Sequence, residues 1–216
     1  MKSAAFIPTL YKTLLRYTTW ASVLFEYPQF SSFAFLQTYK WNPNSPEIVI
    51  ESFAFDLYNT NFISVFWVLL SIYMATLTTS VCLPDQARSL VYLILFDLMA
   101  LPALRAGFLM FSCRYIDTPY IYLEKTHEAA GEDVVCWQGE HAACSAFAVI
   151  LILVVMFGKQ WYLRRWLPTR RAFIKADIKF DSLMFTAKVS LCCVNALLIH
   201  EPVVCLVFTG LFVLLL

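Results

Sequence analysis

The stretch Asn61–Leu83, NFISVFWVLLSIYMATLTTSVCL, runs for 23 residues without a charged side chain. A helix of about 20 apolar residues crosses the ~30 Å hydrocarbon core of a bilayer, so this stretch reads as a transmembrane helix. Similar runs flank it. Ser89–Phe111 is apolar except for Asp97 and Arg105. Pro102 is expected to kink it, because proline removes a helical N–H and crowds the preceding turn. Ala142–Gly158 (AACSAFAVILILVVMFG) is uncharged, Ser182–Leu198 carries Lys188, and Pro202–Leu216 follows the turn His200-Glu201-Pro202. Towards the start, Tyr17–Tyr39 is long enough to cross despite Glu26 and Pro28. Ahead of it, Phe6, Ile7, Leu10, Tyr11, Leu14 and Leu15 recur at helical spacing around Lys12 and Arg16. That pattern suits an amphipathic helix in the membrane interface.

Composition points the same way. The chain is 60% hydrophobic and only 14% charged, against roughly 25% charged in soluble domains; so little charge cannot cover a water-facing surface. The expected fold class is all-α, a polytopic transmembrane helix bundle of about six spans. Residues 1–16 form a cytoplasmic or interfacial segment and 17–112 hold the first three spans. An acidic extracytoplasmic loop covers 113–141. The last three spans fill 142–216, with a basic cytoplasmic loop at 159–181. A net charge of +1 gives no electrostatic case for nucleic acid. Pro202–Leu216 supplies fifteen residues, fewer than a crossing needs, so the bundle is expected to be incomplete at its C-terminal end.

Charge asymmetry sets the orientation. Lys159, Arg164, Arg165, Arg170, Arg171, Lys175 and Lys179 face only Asp177 and Asp181 in their segment, which by the positive-inside rule is cytoplasmic. Arg164, Arg165, Arg170 and Arg171, beside Trp161, Tyr162 and Trp166, suit contact with anionic lipid. Cys113–His141 holds six acids against Arg114 and Lys125 and falls on the opposite side. Lys2 is not followed by a compact apolar core and cleavage site, so the N-terminus reads as uncleaved.

Cys82, Cys192, Cys193 and Cys205 lie in apolar runs, where cysteine is ordinarily a packing residue. Cys113 and Cys136 bracket the acidic loop, and a bridge between them would tie two spans together at their outer ends in an oxidising compartment. The competing reading is a metal site of Cys136, His141, Cys144 and His127. Its spacings match no common zinc template, and no metal is expected.

Charges inside apolar runs are costly and mark candidate sites. Asp97, Arg105 and Glu26 form such a set. One reading is a proton or ion path through Asp97. The other is structural: Asp97 pairs with Lys188 or another neighbour, while Arg105 and Lys188 reach outward to the interfaces. The sequence contains no G-x-S-x-G, H-E-x-x-H or Walker motif, so no catalytic residue, cofactor or enzymatic activity is expected.

A span ending in Cys113, an acidic loop, and then Cys136-Trp137-Gln138-Gly139-Glu140-His141 opening the next span resembles the membrane region of the tiny macrocysts family. That family comprises large multi-span proteins of amoebae, ciliates and algae, and Trp41-Asn42-Pro43 is similar in style. The resemblance implies a sensory, signalling membrane region in the plasma or ciliary membrane, carrying cytoplasmic domains or partner subunits. The expected function is therefore multi-pass anchoring and sensing. Two alternatives stand beside it: an ion- or proton-coupled transporter or channel using Asp97, and a structural subunit of a membrane complex.

Overall fold

The computed structural model describes residues 62–115, 121–123, 134–170 and 178–197, with isolated helical positions between 13 and 24 and between 203 and 211. The uncharged run that opens the sequence is α1 (Phe62–Ser80). Its threonines do not break it, because Thr76, Thr78 and Thr79 return their hydroxyls to carbonyls one turn back. The C-terminus of α1 is closed by Arg88. The guanidinium donates to the carbonyls of Ser80, Val81 and Leu83 at 3.1, 2.9 and 2.8 Å, placing a positive charge at and just beyond the helix end, where the dipole is negative.

The predicted span Ser89–Phe111 divides into three pieces. These are α2 (Asp85–Leu93), a π-helical turn (Ile94–Leu98) and α3 (Ala100–Leu109). The halves meet at 48°. Pro102 is the source of the bend: it offers no N–H to the carbonyl of Leu98, and its ring crowds that carbonyl. The wider turn is closed by the N–H of Met99 donating to the carbonyl of Ile94 at 2.9 Å. That bond diverts Met99 from the Leu95 carbonyl, its partner in an α-helix. The hydroxyl of Tyr73 on α1 donates to Leu95 instead, at 3.2 Å.

A short antiparallel hairpin follows, β1 (Cys113–Tyr115) with β2 (Ile121–Leu123), pairing Cys113 with Leu123 and Tyr115 with Ile121. It is the departure from an all-helical fold among the described residues. Next, α4 (Gly139–Arg170) runs unbroken for 32 residues, or about 48 Å. The basic segment expected as a loop from residue 159 is thus helical as far as Arg170. An α-helix does not stop where hydrophobicity stops, and no glycine or helix-ending proline intervenes between Lys159 and Leu167. The last described helix is α5 (Ile178–Leu197).

Two helices, Phe62–Ser80 and Gly139–Arg164, are long and apolar enough to cross a membrane, and the bent pair α2–α3 makes a third if it counts as one span. About six spans is therefore more than the described residues carry. Tyr17–Tyr39 and Pro202–Leu216 lie largely outside them, and α5 is interrupted by charge at Lys179, Asp181 and Lys188. In the packing, α3 sits at the centre with α4 and α5 against it, and its residues Leu101, Ala103, Leu104 and Ala106 are buried. Val68 and Ile72 of α1 and Phe147, Leu153, Phe157 and Trp161 of α4 are exposed, an apolar outer surface that a bilayer would cover.

Candidate functional site

Two constructions distinguish this bundle, one at the end where α3 leaves and α4 enters, the other deep between the helices. At the first, Cys113 and Cys136 form a disulfide with Cα atoms 6.4 Å apart, as their places at the two ends of the acidic loop lead one to expect. The chain then turns sharply. Trp137 (φ 65°) and Gly139 (φ 50°) both adopt left-handed backbone, which for a non-glycine residue costs roughly 1–2 kcal/mol. His141 holds the turn together. The N–H of Trp137 donates to Nδ1 of His141 at 2.8 Å, so Nδ1 presents a lone pair. The ring proton is thereby assigned to Nε2, which donates to the carbonyl of Met110 at 3.0 Å. The last turn of the bent span is thus bonded to the first turn of α4. Trp137 lies over this clasp, against the rings of Phe111 (centroids 6.2 Å) and His141 (5.6 Å), with half its surface exposed.

The ligand-type atoms of Cys113, Cys136 and His141 all lie within 4.8 Å of one another, yet their chemistry does not fit a metal. Both sulfurs are spent in the disulfide. A metal-bound histidine donates from its far ring nitrogen, whereas Nδ1 here accepts. Cys144, from the four residues weighed as ligands, is buried on α4, and His127 lies outside the described residues.

The second construction is a buried ion pair. Asp97 lies in the π-helical turn and is bonded to Lys159 of α4. Both side chains are buried, and the Lys159 ammonium sits 5.7 Å from the Tyr162 ring centroid and 6.0 Å from that of Phe185, within cation–π range. Asp97 precedes Met110 by thirteen residues, about 20 Å along the bent helix path, so the pair stands well away from the clasp. The approach is made possible by Gly158: a Cβ there would fall 2.3 Å from Cε1 and Cζ of Phe96. Beside the pair, Gln160 donates to the hydroxyl of Ser182 on α5 at 3.2 Å.

Several sequence expectations change here. Asp97 was expected to pair with Lys188 or another neighbour, and it is bonded to Lys159, taken from the segment read as a basic cytoplasmic loop. Arg105 and Lys188, expected to reach outward, are each 5% exposed. The central position of α3 turns Arg105 into the bundle, and Lys188 is buried on α5, which packs against α3. Glu26 and Arg171 lie outside the described residues. Arg164 is exposed on α4, and Arg165 and Arg170 belong to the same helix. The roles of Lys159, Gly158 and His141 were not read from the sequence. A glycine and lysine at the end of an apolar run, and a histidine one turn inside a Cys-Trp-x-Gly start, were the available signals.

Compared with protein-family models, curated proteins and solved structures, the chain matches none.

Proposed function

We propose that this chain is a multi-pass membrane region that anchors and senses, its disulfide-tied outer loop serving as the recognition surface and its basic helix end meeting anionic lipid. The observation that carries this reading is the clasp. A disulfide, a left-handed tryptophan turn and a doubly bonded buried histidine join the loop's two ends to the bent α2–α3 pair on one side and to the membrane-long α4 on the other. Anything that displaced the loop would act directly on α3 and α4. The plasma or ciliary membrane is the proposed location, with the acidic loop outside, and no catalytic step is assigned to these residues.

A second reading is favoured by one feature. Asp97 stands in a π-helical turn, a distortion common at functional sites, and intramembrane carboxylates mark proton and ion paths. Reconstitution into liposomes enclosing a pH-sensitive dye separates the two. The anchoring role predicts no proton or cation leak above protein-free vesicles, in the unaltered chain and in Asp97→Asn alike. A flux that the unaltered chain supports and Asp97→Asn abolishes would replace anchoring with transport.

A further inference from the structure

The clasp depends on a lone pair that a proton can occupy. Nδ1 of His141 accepts from the N–H of Trp137 at 2.8 Å, while Nε2 donates to Met110. A doubly protonated imidazole has two donors and no acceptor. A proton at Nδ1 therefore sets two N–H groups against each other and breaks the bond to Trp137. A replacement partner stands one turn along α4. The buried hydroxyl of Ser145 lies 3.4 Å from Nδ1, and its oxygen can accept what a backbone N–H cannot. The left-handed backbone of Trp137 (φ 65°) persists only while its surroundings hold it. The Trp137 ring stands edge-on to His141 and is half exposed, so the histidine lies one side chain from the surface.

The groups around the ring do not compensate a charge there. α3 presents the Met110 carbonyl, and its nearest charged residue is a cation, Arg105, five residues back. β1 carries a further cation, Arg114, beside Cys113 in sequence. The disulfide, with Cys136 Sγ 4.0 Å from Nε2, does not titrate. On α4 the Cys144 thiol is buried one turn on, and Glu140, the one acid among the described residues at this end, is exposed. α1 has no ionisable residue from Phe62 to Ile72, and α5 has only Cys192 and Cys193 from Val189 to Leu197. A charged ring is thus better placed in an opened turn, among water and the acids of the loop, than in the closed one. We infer that the clasp is a proton switch: protonation of His141 at Nδ1 moves its bond from Trp137 to Ser145 and lets the outer turn open. The inference rests on the sensing role proposed above and names its stimulus, acidification on the loop's side of the membrane.

Hydrogen–deuterium exchange of the full chain in mild detergent tests it, read by mass spectrometry on residues 136–144 and corrected for intrinsic exchange at each pH. The series runs from about pH 7.5 to 4.5, across the ordinary histidine value of about 6.5. Protection of this segment is expected to fall about tenfold on acidification, with a single midpoint. Ser145→Ala is a small change at a buried site and is expected to fold. It should move the midpoint about one pH unit lower, through loss of a hydrogen bond to a charged group. His141→Asn keeps a short acceptor for the Trp137 N–H and takes no proton, so its protection should not vary with pH. Protection independent of pH in the unaltered chain overturns the proposal. So does the same transition in His141→Asn, or an unmoved midpoint in Ser145→Ala. A proton flux that depends on Asp97 would instead remove the anchoring and sensing role and leave this transition in place, so the two failures are told apart.

Discussion

Asp97 and Lys159 illustrate at the scale of single residues how a charged pair survives in an apolar bundle. Each ion loses its water on burial, and their mutual attraction, with two aromatic faces around the ammonium, offsets that loss only while both are present. Removing one partner of a buried pair costs roughly 3–5 kcal/mol, whereas replacing both with apolar residues is often near neutral. Asp97→Leu alone should therefore lower stability by that amount, and Asp97→Leu with Lys159→Met should recover most of it. Denaturant titration in detergent, followed by tryptophan fluorescence, measures the cycle; additive losses would show that the two side chains act separately. Asp97 was legible in the sequence because a carboxylate in an apolar run stands out. Its partner was not, because 62 residues separate them and Lys159 opens a run of seven cations among which the sequence gives no preference.

Between the bent span and α4, a glycine and an aromatic ring govern the approach of two elements. Phe96 lies against Gly158 where no Cβ can stand, and the π-helical turn sets Phe96 and Asp97 against the same stretch of α4. Gly158→Ala should force the ring or the helix aside and cost about 1–3 kcal/mol, the range for overpacking. In a Phe96→Leu background, where the ring is gone, the same substitution should cost clearly less. Thermal melts of the four proteins give the coupling; an equal penalty in both backgrounds would mean that the contact does not set the spacing. The bend itself was readable from Pro102. The π-helical geometry was not, since it depends on Tyr73 of α1 supplying a hydroxyl to the carbonyl that the wider turn releases.

For the molecule as a whole, the clasp decides how the helices stay together at one end. The disulfide closes a separation of 23 residues, worth about 3 kcal/mol in the chain-entropy model. Replacing Cys113 and Cys136 with serine should lower the melting temperature, and reductant should bring the unaltered chain down to the same value. A melting curve insensitive to reductant would show that the bridge contributes nothing to stability. What the sequence determined by itself is local and compositional. Uncharged runs long enough to fill a bilayer become helices, a proline bends one of them, and two cysteines bracketing an acidic loop meet. Tertiary structure alone decided that Arg105 and Lys188 turn inward. It also decided that Lys159 answers Asp97 and that His141 holds one tautomer between Trp137 and Met110. The physical reason is that hydrophobic length and backbone propensity act over a few neighbouring residues. The partner of a buried charge or ring nitrogen is set by which helix faces pack together, and that depends on residues far apart in the chain.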